Sequence, residues 1–153
     1  MGIEIERKFL VKDQGYRSED STLLRQGYLS TVKERTVRVR IAGEKAFLTI
    51  KGTTEGATRS EYEYEIPTKD AEEMLDKLCP PPLIEKRRYR TQHDGMVWEV
   101  DEFFGANEGL VLAEIELDEE GQQFATPSWL GEEVTEDRRY YNANLISNPY
   151  SNW

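Results

Sequence analysis

The chain has 153 residues, 37% hydrophobic and 33% charged, with 30 acids against 20 bases and a net charge of −10. That suffices for one domain around a modest core, and 8 Tyr, 5 Phe and 3 Trp in interspersed patterns argue against disorder. The negative balance excludes general affinity for nucleic acid or an anionic membrane, so any anionic ligand needs a local basic cluster.

In chain order, strand-like alternation recurs at 3–11, 24–31, 36–42, 46–52, 60–66, 84–91, 96–103 and 110–117. Turn residues such as Ala42-Gly43-Glu44 and His93-Asp94-Gly95 separate the segments and imply antiparallel neighbours. Between them, Ala71, Met74, Leu75 and Leu78 repeat at helical spacing after Thr68, a plausible N-cap, and Pro80 stops the helix. A second helix is expected over 137–146, capped by Asp137 or Thr135, with Tyr141 and Leu145 on one face. The stretch 127–131, "PSWLG", reads as a tight apolar turn. No composition break divides the chain, so one domain over 1–153 is expected. Cys79 is the only cysteine, no apolar run approaches the ~20 residues that span a bilayer, and Glu4 and Glu6 follow Met1 closely. The reading is a cytoplasmic protein without a disulfide or secretory signal.

The strand faces carry the functional signal. In "GIEIERKFLV", Glu4, Glu6 and Lys8 share one face, because successive strand side chains point to opposite sides. Arg38 and Arg40 share another face, with Val37, Val39 and Ile41 opposite; Lys51 ends "FLTIK". Glu61, Glu63 and Glu65 align, as do Lys86, Arg88 and Arg90, Glu99 and Asp101, and Glu114 and Glu116. Singly, each pattern fits a sheet with one wet face. Jointly they do not, because paired like charges cost free energy unless opposite charges or a ligand lie across from them. A sheet closed into a barrel supplies that arrangement. Its lumen is charged, and its apolar residues face outward, covered by helices or by a second copy in a homodimer.

Arg suits bidentate phosphate contacts, Lys supplies a point charge, and clustered carboxylates suit a hard cation such as Mg²⁺ or Mn²⁺. With His93 and Cys79 the only residues of their kinds, zinc sites and Ser-His or Cys-His nucleophiles are disfavoured. No GxxxxGK[ST] loop is present.

Glu4-Ile5-Glu6-Arg7-Lys8 resembles the ExExK signature of the CYTH superfamily, the triphosphate tunnel metalloenzymes. By itself ExExK is weak in so charged a chain. The resemblance rests on its being followed in order by Arg38-Val39-Arg40, Lys51, Glu61-Tyr62-Glu63, Lys86-Arg87-Arg88, Asp101 and Glu114-Ile115-Glu116. It extends to "GEEVTEDRRYYN" at 131–142, where Arg138 stands in place of the Lys of short bacterial relatives. The resemblance implies an eight-stranded antiparallel barrel, mainly β, with a few flanking helices, and triphosphate hydrolysis or cyclisation with Mg²⁺ or Mn²⁺. It implies that Glu4, Glu6, Glu114 and Glu116 hold metal, supported by Glu61, Glu63 and Asp101. It further implies that Lys8, Arg38, Arg40, Lys51, Lys86 and Arg88 grip phosphate, with Arg138 or Arg139 at the mouth. Glu4, Glu6, Lys8 and Lys86 are the candidates for orienting the attacking water and neutralising the leaving oxygen. The favoured reading is a tripolyphosphatase. The alternatives are a class IV adenylyl cyclase, for which no base-reading motif is evident, and a catalytically silent polyphosphate binder.

Overall fold

The structure, a computed structural model, describes residues 2–153. Nine strands form one sheet: β1 Ile3–Val11, β2 Ser21–Ser30, β3 Thr36–Ala42, β4 Lys45–Lys51, β5 Thr58–Ile66, β6 Ile84–His93, β7 Met96–Phe103, β8 Val111–Glu116 and β9 Leu130–Glu133. The order is β5-β4-β3-β2-β6-β7-β8-β1-β9, and a further β5–β1 pairing closes eight of them into an antiparallel barrel. Hairpins set the register: Asp94 (φ 51) and Gly95 (φ 81) occupy the two left-handed positions that a two-residue type I′ turn demands, and His93 faces Met96 across it.

Strand β1 changes partner along its length. Ile3–Ile5 pairs with β5, and Phe9 and Val11 pair with β9 on that same edge, while Glu6–Phe9 pairs with β8. Strand β9 corrects the sequence reading of 127–131 as a turn alone. The turn exists, closed by Leu130 N–H donating to the Pro127 carbonyl, but Leu130 then starts a strand along the edge that β5 leaves free. Four residues give too short an alternation to be recognised.

The barrel is inverted, with its largest apolar cluster on the outside. Phe9, Trp98, Val100 and Ile115, the outward residues of β1, β7 and β8, pack with Tyr16, Trp129 and Leu130. Trp98 lies edge-on to Phe9, Phe124 and Trp129, at centroid distances of 5.6, 5.6 and 5.7 Å. Helix α1, Thr68–Lys77, covers the outer faces of β3 and β4 through Ala71 and Leu75, against Val39 and Ala46. Gly27 on β2 permits this approach, since a Cβ there would lie 2.8 Å from Cys79 Cβ. Thr68 is not the N-cap: Pro67 takes that position, and the Thr68 hydroxyl donates to the Glu44 carbonyl. Covering by helices stops there, and Ile3, Tyr62 and Tyr64 stay exposed on the outside of β1 and β5.

The expected helix 137–146 is two pieces. Asp137 caps a 3₁₀ turn over Arg138–Tyr140, Tyr141 is extended, and α2 spans Asn142–Ser147. Leu145 and Tyr140 from this segment join Ile84, Phe103 and Leu112 in a second cluster. Those three share strand faces with Lys86, Asp101 and Glu114, so they point into the barrel. One end of the lumen is therefore an apolar plug, correcting the expectation of an interior devoted wholly to charge.

Candidate functional site

Above the plug, a cavity of about 420 Å³ occupies the rest of the lumen. It is lined by Glu4, Glu6 and Lys8 of β1, Arg38 and Arg40 of β3, Lys51 of β4, Glu61 and Glu63 of β5, Lys86 and Arg88 of β6, Glu99 of β7, and Glu114 and Glu116 of β8. Each is placed by strand alternation, and the register sets Lys8 opposite Glu114, Glu6 opposite Glu116, and Lys51 opposite Glu61. In the closed order β3 and β8 are four strands apart in either direction, so Arg38 and Arg40 face Glu114 and Glu116 across the lumen.

At the base of the cavity the charges are matched. Asp101 accepts two hydrogen bonds from Arg88, at 2.8 and 2.9 Å, and lies 2.7 Å from Lys86 Nζ. Glu114 joins Arg88 Nη2 at 3.1 Å to Lys8 Nζ at 2.5 Å. Burial opposes ionisation of both acids, but the cations outweigh it, holding Asp101 at about 2 and Glu114 well below the usual range. Likewise burial disfavours the Lys8 ammonium, while Glu114 and Glu6 more than compensate and raise it. Glu4, gripped by Lys51 Nζ at 3.0 and 3.1 Å, is held below its ordinary value despite burial.

Elsewhere charges of both signs are left short of full compensation. Arg40 has no carboxylate partner among the described residues; its Nε donates to Gln26 Oε1 at 2.7 Å. Burial, then Arg38 and Arg88, push it down to about 9, a measure of electrostatic cost rather than loss of the guanidinium proton at neutral pH. Arg38 Nε is buried without a partner among the described residues. Lys86 is pushed down to about 7 by burial, which Asp101 only partly offsets. On the acidic side, burial and then Glu114 raise Glu6 to about 7, with Lys8 Nζ no nearer than 3.5 Å. Burial and the neighbouring acids also raise Glu116 and Glu61.

Glu6 makes this state testable. Its folded value, about 7, lies above the ordinary 4.5, so between the two the folded protein holds more protons than the unfolded chain. Stability then falls as pH rises through that window, and the penalty is complete above it. Glu6→Gln is expected to remove this component: in chelator, the wild-type denaturant midpoint should drop relative to the variant's between about pH 5 and about pH 8. Parallel midpoints would mean that Glu6 is freely hydrated.

The barrel brings together most residues singled out from sequence, with exceptions. Asp101 faces inward but is closed off beneath Arg88 and Lys86 and does not line the cavity. Glu65 is exposed beyond the rim, and Arg90 sits at the edge with Asp20 and Glu99. Arg138 lines the cavity, whereas Arg139 turns away to pair with Asp137 at 2.7 Å and lie over Trp153. Residues missed from sequence are Arg59, Tyr28, Gln26 and Asn142. Arg59 lines the cavity 3.5 Å from Glu4 and shares parity with Glu61, but falls one residue before the stretch read as that strand. On the strands, seven inward bases (Lys8, Arg38, Arg40, Lys51, Arg59, Lys86, Arg88) face eight inward acids (Glu4, Glu6, Glu61, Glu63, Glu99, Asp101, Glu114, Glu116), or −1 formally, and Lys33 and Arg138, which also line the cavity, bring the sum to +1. What distinguishes the lumen is unmatched charge rather than net charge.

Among the described residues no three His, Cys, Asp or Glu converge at ligand spacing. The carboxylates are instead paired across strands, as Glu6 with Glu116.

The sequence profile of the CYTH domain matches residues 2–147. The chain belongs to the CYTH family. It is 54% identical over 154 residues to an inorganic triphosphatase of Acetivibrio thermocellus, covering all of this chain and 99% of the relative. An inorganic triphosphatase of Nitrosomonas europaea is 40% identical over 146 residues, 93% of this chain and 95% of that one. The crystal structure of the inorganic triphosphatase NE1496 superimposes with a TM-score of 0.69 at 37% identity, covering 94% of this chain and 93% of that one.

Proposed function

We propose that this CYTH protein hydrolyses a triphosphate, most readily inorganic tripolyphosphate, with Mg²⁺ or Mn²⁺, in a reducing cytoplasmic setting. The observation that carries the reading is unmatched charge of opposite sign on facing walls: Arg40 and the Arg38 Nε on β3, Glu6 and Glu116 on β1 and β8. A ligand with both anionic oxygens and a bound cation satisfies both walls at once. The triphosphatase relatives agree with that ligand.

The residues fit a hard divalent cation, because Glu116 has no cationic partner among the described residues, and Glu6 and Glu61 have only Lys8 at 3.5 Å and Lys51 at 3.4 Å, each shared with a more closely held carboxylate. Glu4 stands among them, paired with Lys51, while Glu114 and Asp101 are each held by two cations and Glu63 by Arg38. Coordination beyond one or two carboxylates is left to phosphate oxygens and water, as is usual for Mg²⁺. Such a cation supplies charge neutralisation on the phosphoryl oxygens. The chain's own cations hold the triphosphate in line, Arg38 and Arg40 with unshared N–H groups and Lys51 from the adjacent strand. Lys8, tied to Glu114 and raised, keeps its proton and acts as a fixed charge. Lys86, at about 7, is the better candidate to give a proton to the leaving oxygen, since its affinity lies near working pH.

Phosphate release should be assayed with tripolyphosphate, ATP and thiamine triphosphate, each with Mg²⁺ and with Mn²⁺. Tripolyphosphate should turn over fastest, and ATP should give little phosphate and no cyclic AMP. Cyclic AMP with pyrophosphate as main products would establish cyclase chemistry instead. Binding without turnover would leave a polyphosphate carrier.

A further inference from the structure

Lys86 and Arg40 are the two inward cations pushed down from their ordinary values, and the same two side-chain amides connect them. Asn142 Oδ1 accepts from Lys86 Nζ at 2.8 Å and from Gln26 Nε2 at 3.1 Å. Gln26 Oε1 in turn accepts from Arg40 Nε at 2.7 Å. Gln26 is fully buried on β2, facing Arg40 on one side and Ile84 on the other. Asn142 is the first residue of α2, so the C-terminal segment reaches Lys86 directly and Arg40 through Gln26. The contrast with Arg88 is chemical. Arg88 is oriented by Asp101 and Glu114, which also cancel its charge. An amide orients without adding counter-charge, so Lys86 is balanced by Asp101 alone, and Arg40 has no carboxylate partner among the described residues.

We infer that Asn142 and Gln26 are positioning residues, an uncharged relay that fixes the Lys86 ammonium and the Arg40 guanidinium without adding counter-charge to either: Lys86 keeps Asp101 as its carboxylate partner, and Arg40 stays free for the substrate. Lys86 has three N–H donors. Asp101 and Asn142 take two of them, and the third is left for a phosphate oxygen. Arg40 uses only its Nε within the protein, among the described residues, leaving its outer N–H groups to the cavity. This inference rests on the triphosphatase reading and adds the role of the C-terminal segment in that site.

Asn142→Asp separates orientation from charge, because an aspartate oxygen can accept both hydrogen bonds that Asn142 Oδ1 accepts. With tripolyphosphate and Mg²⁺, the variant should raise KM by about tenfold or more, since a carboxylate competes with the substrate for Lys86. Its Tm should be equal to or above that of the wild type. Asn142→Leu, which keeps bulk and removes the acceptor, should instead lower kcat through a mobile Lys86. A wild-type KM in Asn142→Asp would overturn the relay, because a merely structural role survives that exchange. So would a wild-type kcat in Asn142→Leu. If the wild type itself neither binds nor cleaves tripolyphosphate, the triphosphatase reading falls, and the relay falls with it.

Discussion

Arg40→Ala is expected to lower kcat/KM by at least about tenfold, or ~1.4 kcal/mol of transition-state stabilisation, without lowering Tm. The two halves of this expectation have one cause. Arg40 faces the cavity, has no carboxylate partner among the described residues, and is half-buried beside Arg38 and Arg88. Its charge therefore costs the free protein stability and is satisfied only by an anionic ligand. Truncation removes both the cost and the grip. Trp98→Ala should show the reverse. Trp98 is fully buried on the outer face among aromatic edges, and its loss should cost about 3–5 kcal/mol. The fraction that remains folded should retain near-normal kcat/KM. Denaturant melts and steady-state rates on both variants check the assignment. An Arg40→Ala protein that melts early yet turns over normally would place Arg40 in a packing role.

Chelator is expected to weaken tripolyphosphate binding by at least about tenfold, Mg²⁺ or Mn²⁺ to restore it, and Glu4→Gln with Glu6→Gln to abolish hydrolysis. Burial raises the proton affinity of Glu6, Glu61 and Glu116, and neighbouring carboxylates (Glu114 for Glu6, Glu4 for Glu61, Glu4 and Glu61 for Glu116) raise it further, so a polyanion brought alongside meets the same repulsion. A divalent cation relieves both. Reciprocity then requires that tripolyphosphate tighten metal binding by the same factor that metal tightens tripolyphosphate. Calorimetry in both orders measures the two factors. Tight tripolyphosphate binding in chelator, or normal hydrolysis by the double variant, would mean that these carboxylates serve no cation.

The barrel and its charged lining were legible because a strand repeats every two residues, so paired charges in "EIERK", "RVR" and "EIE" disclose an inward face without tertiary information. Registers such as Glu6 opposite Glu116 came only with the structure. Charge was also the limit of that signal. Gln26 and Asn142 are neutral and lie far apart in sequence, and only the fold joins them. Tyr28 has the parity of Gln26 on β2 and lines the cavity, but an uncharged side chain on such a strand attracts no notice. Alternation likewise places Asp101 inward without revealing that Arg88 and Lys86 seal it off. Arg138 and Arg139 could not be separated, because the answer depends on a 3₁₀ turn rather than on a regular helix. The apolar plug escaped because Ile84, Phe103 and Leu112 continue charged faces at their ends, where an apolar residue looks like a strand terminus.

That plug makes the barrel a blind sac. With Ile84, Phe103, Leu112, Tyr140 and Leu145 filling one end, whatever enters must leave by the way it came. A cleaved triphosphate therefore departs as two anions through the opening that the next substrate needs, and the larger fragment competes for the same cations on its way out. A long polyphosphate can present only its end, never a bond in the middle of the chain. The architecture favours short substrates by exclusion, before any individual contact is considered.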